Sequence, residues 1–175
     1  MKLQVLGCHG GELPDCRTTC FLVDGVLALD AGALCASLDL EALARVDHII
    51  LTHAHFDHVK DLPLLADLMV GRRERPVTVW ASRTCVKTLQ KNVFNDALWP
   101  DFTRIPSPKN PVLELRAFRP GDSFQAGDYQ VQSVLVSHPV ESCGFVVRRG
   151  DSALASAATL GPRTGCGRCS TPSRT

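Results

Sequence analysis

The sequence predicts an α/β layered fold built around a mixed β-sheet. Short apolar segments near the N-terminus are joined by the dipeptide Asp24-Gly25, a hairpin signal that favours antiparallel pairing. Further along, strand-like and helix-like segments alternate, as they do in βαβ units. The segment VDHIILTH at residues 46–53 contains a continuous apolar run, which is typical of a strand covered on both faces. Hairpins and βαβ steps in one chain together indicate a mixed sheet with helices packed on it.

The individual elements follow from periodicity and turn signals. Asp39 is a plausible N-cap for a helix whose leucines recur at roughly helical spacing. A second helix should begin at Asp57, with Pro63 near its first turn, where proline is tolerated. The predicted strands are KLQVLG, TTCFLVD, VLALDAG, VDHIILTH, PVTVWAS, DYQVQSVLVSH and ESCGFVVRRGDSALA, and the predicted helices are LDLEALARV, DHVKDLPLLADLMVGRR and RTCVKTLQKNVFN.

The composition excludes several function classes. The net charge is +1, from 19 basic and 18 acidic residues, which gives no general electrostatic reason to bind nucleic acid or an anionic membrane. No apolar run approaches the roughly 20 residues that a membrane-spanning helix needs. The N-terminus has no signal-peptide core and reads as a strand entering a glycine loop, so the expected location is the cytoplasm.

The segment LTHAHFDHVKD carries the chemistry. It contains His53, His55, Asp57 and His58, whereas the other histidines of the chain are scattered. At the end of a strand, residues i and i+2 point to the same side, so His53 and His55 can hold one metal ion. The chain then turns into a helix, and Asp57 and His58 point toward a second metal position nearby. Imidazole and carboxylate together suit Zn²⁺, and Mn²⁺ and Fe²⁺ are also compatible.

His138 follows an apolar strand and precedes Pro139. Taken alone it would be interpreted as a structural histidine. Beside the pair His53 and His55 it becomes a third imidazole ligand, which leaves the fourth tetrahedral position open for water, as a catalytic zinc ion requires.

These motifs resemble those of the metallo-β-lactamase superfamily, and within it those of the class II cyclic-nucleotide phosphodiesterases. The resemblance covers roughly residues 1–156 and is carried by the segments LGCHGG, RTTCFLVD, THAHFDHVKDLPLL, NVFNDALWPDFTRIPSP and VLVSHPVESCGFVV. It implies an αββα sandwich, of which this chain has the first half and the start of the second. It also implies that Asp30, in DAG, is an aspartate below the histidine pair, since outer carboxylates orient ligating imidazoles.

The resemblance further implies an activity. An intact relative would use two zinc ions and a bridging water to hydrolyse a small-molecule phosphodiester, with a 3′,5′-cyclic nucleotide as the expected substrate. Asp57 and His58 would be catalytic as well as ligands. The alternatives are another hydrolase of the superfamily, acting on a thioester, a lactam or an RNA phosphodiester, and a non-catalytic remnant.

Three further residues are weaker candidates for substrate contact. His9 lies in the first glycine loop, which borders the active site in the superfamily, although an ordinary loop histidine is an equal alternative. Asn95 and Trp99 lie in a proline-containing insert that either walls the substrate pocket or is a packed connection.

The last 19 residues, 157–175, raise a separate hypothesis. The superfamily places a Gly-Asp-Thr triplet here, whose aspartate bridges the two metals, and this chain has none. Permissible codons for Ala157 to Cys169, read one base out of frame, spell Gly-Asp-Thr-Gly-Pro-Thr-Asp-Gly-Leu-Trp-Glu-Val. The segment is therefore interpreted as a frame-shifted, disordered tail, which sequencing of the encoding DNA would test.

Two consequences follow from that hypothesis. Without the bridging aspartate and a later histidine, one ion or weakly held metal is expected, and uncovered apolar surface should favour oligomerisation or aggregation. The pair Cys166 and Cys169 is interpreted as an accident of frame, because a zinc knuckle needs two more ligands nearby and a redox pair should open a helix.

Overall fold

The computed structural model describes residues 1–157, so the tail proposed for residues 157–175 lies, apart from Ala157, outside the described residues. The strands in chain order are β1 (Leu3–Gly7), β2 (Cys20–Val23), β3 (Leu27–Leu29), β4 (His48–Ile50), β5 (Val77–Ser82), β6 (Pro106–Ser107), β7 (Asn110–Pro111), β8 (Leu113–Phe118), β9 (Ser123–Ala126), β10 (Tyr129–Val136), β11 (Ser142–Arg149) and β12 (Ser152–Ser156). The helices are α1 (Leu34–Ser37), α2 (Leu40–Ala44), α3 (Phe56–Val59), α4 (Asp61–Met69) and α5 (Arg83–Asn92).

The predicted mixed sheet is confirmed. It has six strands in the order β1-β2-β3-β4-β5-β8. The first three pair antiparallel, and β3, β4, β5 and β8 run parallel. Asp24 and Gly25 form the predicted hairpin turn with φ of 50° and 76°, a left-handed conformation that suits both residue types.

A second sheet packs face to face with the first. Its four strands lie in the order β12-β11-β10-β9, all antiparallel. Alternate side chains of β10, namely Tyr129, Val131 and Ser133, are buried, while Gln130 and Gln132 between them are exposed. Antiparallel strands with this alternation have one face on a core and one toward solvent.

Two hydrophobic cores hold the layers together. One lies between the helices and the outer face of the six-stranded sheet, and includes Leu34, Leu62 and Leu89. The other lies between the two sheets and is formed by strand residues, with Trp80, Phe118 and Phe124 stacked within it. Residues 1–157 thus form three layers of the expected sandwich: helices, six-stranded sheet and four-stranded sheet.

Several local predictions are confirmed and others are refined. The Asp39 side chain accepts a hydrogen bond from Ala42 N–H at 2.8 Å, as an N-cap does. The single helix predicted from residue 57 is in fact two helices that meet at Lys60. None of the helices in the described residues is long and apolar enough to cross a membrane.

Some apolar surface is uncovered on β10, where Val134 and Leu135 are 47% and 62% exposed. The association of copies of the chain through such a surface stays a prediction.

Candidate metal centre

The centre lies beyond the carboxyl end of β4, in the middle of the parallel part of the sheet. After Ile50 the chain continues as extended coil to His55, which is the N-cap residue of α3. His53 and His55 therefore both follow β4, whereas the sequence predicted a strand that ends at His53. His53 is 1% exposed and His55 is partly exposed. The arrangement aims two imidazoles at the space above the sheet edge.

His138 reaches the same space from the second sheet. It follows β10, as predicted, and the adjoining strand β11 is tied to the motif by a hydrogen bond of 3.0 Å from Cys143 N–H to Thr52 O. The ring of His138 lies 4.5 Å from that of His53 and 5.1 Å from that of His55, measured between centroids. Three imidazoles from two sheets thus converge on one point.

The spacing of the ring nitrogens fits a metal ion. One ligand nitrogen from each of His53, His55 and His138 lies within 4.8 Å of the others. His55 Nδ1 and His138 Nε2 are 3.3 Å apart. A tetrahedral zinc ion with Zn–N bonds of about 2.0–2.1 Å places its ligand nitrogens about 3.3 Å from one another. In the described part of the chain, this is the one group of three such residues that could hold a metal ion.

The electrostatics of His53 keep it neutral, as a metal ligand must be. Burial, and then the neighbouring His58, His55 and His138, lower the pKa of His53 to about 3. Its Nδ1 lies 2.9 Å from Thr52 Oγ1, while its buried Nε2 has no hydrogen-bond partner among the described residues. A buried nitrogen without a partner is costly, and a metal ion would satisfy it.

Asp57 and His58 lie together at the start of α3, beside the three-histidine cluster. Asp57 Oδ2 is 3.5 Å from His58 Nε2, and the rings of His53 and His58 are 4.2 Å apart. The other ring nitrogen of His58, Nδ1, is 2.7 Å from Asp30 Oδ2. With Nδ1–H donating to Asp30, the lone pair of Nε2 faces the Asp57 side. This is the geometry that a second metal position would require.

Asp30 is buried beneath the site, but its direct partner differs from the expected one. The sequence placed it below the pair His53 and His55, whereas the structure shows it bonded to His58 and to Thr52. Its link to His53 runs through the Thr52 hydroxyl, which lies 3.0 Å from both carboxylate oxygens of Asp30 and 2.9 Å from His53 Nδ1. One carboxylate therefore orients two imidazoles, one directly and one through a threonine.

Thr52 is the residue that sequence reasoning missed. It is 2% exposed, and both its N–H and its hydroxyl bind Asp30. A threonine at the end of an apolar strand carries no distinctive signal. Its position immediately before His53, opposite a buried aspartate in DAG, is the feature that could have identified it.

Close backbone contacts require a glycine at position 32, the last residue of the DAG segment. A Cβ atom at Gly32 would lie 2.1 Å from Asp57 O and 2.7 Å from Thr19 O, both backbone atoms. Gly32 N–H also donates to Thr19 O at 3.0 Å. Three backbone segments meet at this point, so the metal motif can approach β2 and β3 only if residue 32 has no side chain.

The weaker candidates lie in two different places. His9 is partly buried in the β1–β2 loop, and the adjacent Gly10 faces Asp57, since a Cβ there would be 3.6 Å from Asp57 Oδ2. The Asn95 side chain accepts hydrogen bonds from the N–H groups of Ala97 and Leu98, which gives it a role within its own turn. Trp99 packs against the core beneath the helices. Substrate contact by these residues stays a prediction.

The layered fold and the histidine cluster at the end of the parallel strands define a class of metal-binding αβ-sandwich proteins. The chain belongs to the beta-lactamase superfamily, because the model of the beta-lactamase superfamily domain matches residues 19–161.

Comparison with known proteins supports the same assignment. The chain is 31% identical over 81 residues to the 3′,5′-cyclic-nucleotide phosphodiesterase 1 of Saccharomyces cerevisiae, a match that covers 46% of this chain and 21% of that protein. It is 27% identical over 144 residues to the ribonuclease J of Thermus thermophilus, covering 75% of this chain and 23% of that protein. It therefore spans less than a quarter of the length of these relatives. The crystal structure of unliganded yeast PDE1 superposes with a TM-score of 0.71 at 20% identity, covering 94% of this chain and 67% of that chain, which supports the fold.

Proposed function

We propose that this chain is a metal-dependent phosphodiester hydrolase whose ion, zinc, is held by His53, His55 and His138. The observation that carries the proposal is the separation of 3.3 Å between His55 Nδ1 and His138 Nε2, beside the buried and unpartnered Nε2 of His53. Two imidazole nitrogens at this distance share either a proton or a cation. Manganese and iron ions are compatible with the same ligands.

The residues of the chain divide the work. When bound, the ion supplies Lewis-acid activation of water and neutralises charge on the phosphoryl group. Asp30 and Thr52 hold His58 and His53 in the ring orientations and tautomers that leave Nε2 of each free to coordinate. The three histidines would hold the ion; two of them come from the segment after β4 and the third follows β10.

Asp57 and His58 form the second, weaker position of the proposed site. Their side chains offer a carboxylate oxygen and an imidazole nitrogen 3.5 Å apart, and the Asp57 side chain is 27% exposed. Two ligands hold an ion less tightly than three. We therefore infer one firmly bound ion at the three histidines and a more weakly bound ion beside Asp57.

The proposed substrate is a small phosphodiester, with a 3′,5′-cyclic nucleotide as the first candidate. The similarity to the yeast cyclic-nucleotide phosphodiesterase supports this choice. An RNA phosphodiester is the second candidate, because the similarity to ribonuclease J extends over a larger share of this chain. Both candidates need the same attack on phosphorus and differ in the loops that surround the site.

Metal uptake tests the first part of the proposal. Chelator-treated protein is titrated with Zn²⁺, and one equivalent should bind tightly to the unmodified chain. His138→Ala should weaken this equivalent at least tenfold, in line with the loss of one of three ligands. His48→Gln is the matched control, since His48 lies in β4 outside the cluster. Equal zinc affinity in His138→Ala and in the unmodified chain would overturn the assignment of the ligands.

A substrate panel tests the second part. The metal-loaded chain is assayed with bis(p-nitrophenyl) phosphate, 3′,5′-cyclic AMP, a short RNA, a thioester and a cephalosporin. Hydrolysis of the first two, abolished by His53→Ala and retained by His48→Gln, is the expected result. Turnover confined to the thioester or the cephalosporin would contradict the proposed reaction.

A further inference from the structure

We propose that Glu12 and Lys60 form a latch that holds the β1–β2 loop, residues 8–19, against Asp57, and that both are positioning residues for the Asp57–His58 side of the metal centre. The inference rests on the proposed function, since it assigns a role to residues around that same site. Neither residue is one of the proposed metal ligands. The ion pair joins Glu12, at the tip of the loop, to Lys60, at the junction of α3 and α4.

The base of the latch is rigid. Lys60 lies between α3 and α4, and its Nζ is 2.9 Å from Asp61 Oδ1. Asp61 is 1% exposed, its Oδ2 accepts a hydrogen bond from Cys35 N–H at 2.8 Å, and its own N–H donates to Ala31 O at 3.0 Å. The Lys60 side chain is 16% exposed. The ammonium group is thus fixed in place before it meets the loop.

The other half of the latch is the loop tip. Glu12 Oε2 lies 3.1 Å from Lys60 Nζ, and the Glu12 side chain is 46% exposed. Behind the tip, Cys8 and His9 donate their N–H groups to Arg17 O. Within the described part of the chain, the backbone of residues 10–12 makes no hydrogen bond to another backbone group, and next to it Leu13 and Cys16 bond to each other at 2.9 and 3.0 Å. The Glu12 carboxylate therefore ties to α3 and α4 a tip that contains two glycines, Gly10 and Gly11.

The loop tip lies beside the Asp57 carboxylate. Gly10 is placed so that a Cβ there would be 3.6 Å from Asp57 Oδ2, the same oxygen that faces His58 Nε2 at 3.5 Å. The tip backbone therefore borders the space into which that carboxylate can rotate, and it narrows the access of water to the carboxylate. Release of Glu12 from Lys60 would remove this restriction. The latch should therefore govern how tightly an ion is held beside Asp57, and leave the three-histidine cluster unaffected.

The test uses Glu12→Gln and Lys60→Met in the full chain, with Glu74→Gln as a matched control. Glu74 is exposed and makes no ion pair within residues 1–157. Zn²⁺ is titrated into each protein to millimolar concentration in competition with a chromophoric chelator. Hydrogen exchange of the residue 8–19 amides is measured in parallel without metal.

The expected result has two parts. Both latch variants should exchange faster at residues 10–12 and bind the weaker equivalent of zinc about tenfold less tightly, with the tighter equivalent unchanged, as for other groups that orient a ligand. Lys60→Arg, which keeps charge and reach, should restore most of both properties. The double variant should be no worse than either single variant, because each change opens the same contact.

Several results would overturn the latch. They are unchanged loop exchange in both variants, equal loss of both zinc equivalents, or no weaker equivalent in the unmodified chain. Absence of the tighter equivalent would instead contradict the proposed function, so the two failures are distinguishable.

Discussion

His58 Nδ1 lies 2.7 Å from Asp30 Oδ2, and the two side chains are only 8% and 3% exposed. The hydrogen bond joins the end of β3 to the start of α3, so it connects two segments that are 28 residues apart. Burial lowers the pKa of His58. The hydrogen bond to Asp30 and the charges of Asp30 and Asp57 raise it by more than burial lowers it, so the pKa lies above its ordinary value. The carboxylate thus fixes which nitrogen of His58 faces the metal centre.

Asp30→Asn should separate this orienting role from the fold. Asparagine tolerates the positive φ of 60° at this position, but it removes the charge that holds His58 Nδ1–H and the Thr52 hydroxyl. We expect zinc affinity to fall about 10–100-fold, as for other changes to the partners of ligating histidines. Zinc competition and circular dichroism of the same sample provide the measurement.

The control for this prediction is Asp151→Asn, a change of the same charge at an exposed position. Its zinc affinity should match that of the unmodified chain. Loss of affinity in Asp30→Asn that accompanies loss of the circular dichroism signal would show that Asp30 maintains the fold and not the ring orientation.

Thr52→Val tests the indirect link to His53. Valine has nearly the same shape but has no hydroxyl to bridge Asp30 and His53 Nδ1. We expect about tenfold weaker zinc binding and a loss of stability of about 1–2 kcal/mol, because the partners become unsatisfied in a buried place. Thr78→Val, at another buried threonine in β5, should leave zinc binding unchanged. Equal zinc binding in both variants would contradict the role of the Thr52 hydroxyl as the link between Asp30 and His53.

The clustering of His53, His55, Asp57 and His58 could be predicted from the sequence because its information is local. One short segment contains His53, His55, Asp57 and His58. The alternation of side chains at the end of a strand, and then the turn into a helix, set the approximate directions of these side chains. His138 was accessible for a related reason: it follows a clear strand, β10, and its role became plausible once the histidine pair was known.

The missed features depend on contacts between distant segments. Nothing in the sequence around Thr52 shows that it lies against Asp30. The direct bond of Asp30 to His58 was not predicted either, because it depends on the path of the chain from β3 to α3. The strand β8 was also missed. Glu114 and Arg116 alternate with apolar residues, as in a half-buried strand, but the segment is short and follows a proline-containing stretch. Its place at the end of the parallel strands comes from pairing with β5.

Gly32→Ala should be poorly tolerated. The added Cβ would lie 2.1 Å from Asp57 O, and neither that backbone nor Thr19 can move without shifting the metal motif. We expect a loss of stability of about 3 kcal/mol or more, beyond the range of ordinary surface substitutions. Gly11→Ala, where nothing lies within 4 Å of the new Cβ, is the matched control. Thermal unfolding compares the two, and similar midpoints would contradict the close approach.

Asp24, which lies in the β2–β3 turn and not at the metal centre, should make the stability of the fold depend on pH. Hydrogen bonds from Lys2 N–H at 2.6 Å, from Tyr129 OH at 2.8 Å and from Arg149 lower the pKa of Asp24 from 3.8 to about 2. Because the folded-state pKa is below the ordinary value, the carboxylate stabilises the fold above pH 3.8. That contribution is lost as the pH falls from 3.8 through about 2.

Asp24→Asn should reveal that window. Asparagine keeps the positive φ of the hairpin turn and removes the charge. At pH 6 the variant should be less stable, because it loses the charge that accepts these hydrogen bonds. The loss should be only on the order of 1 kcal/mol, since the side chain is partly exposed and solvent screens its ion pair with Arg149. Urea unfolding at pH 6, 4, 3 and 2 should show the difference shrinking between pH 4 and pH 2. A difference that stays constant across this range would assign the effect to the turn and not to the carboxylate, since turn geometry does not titrate.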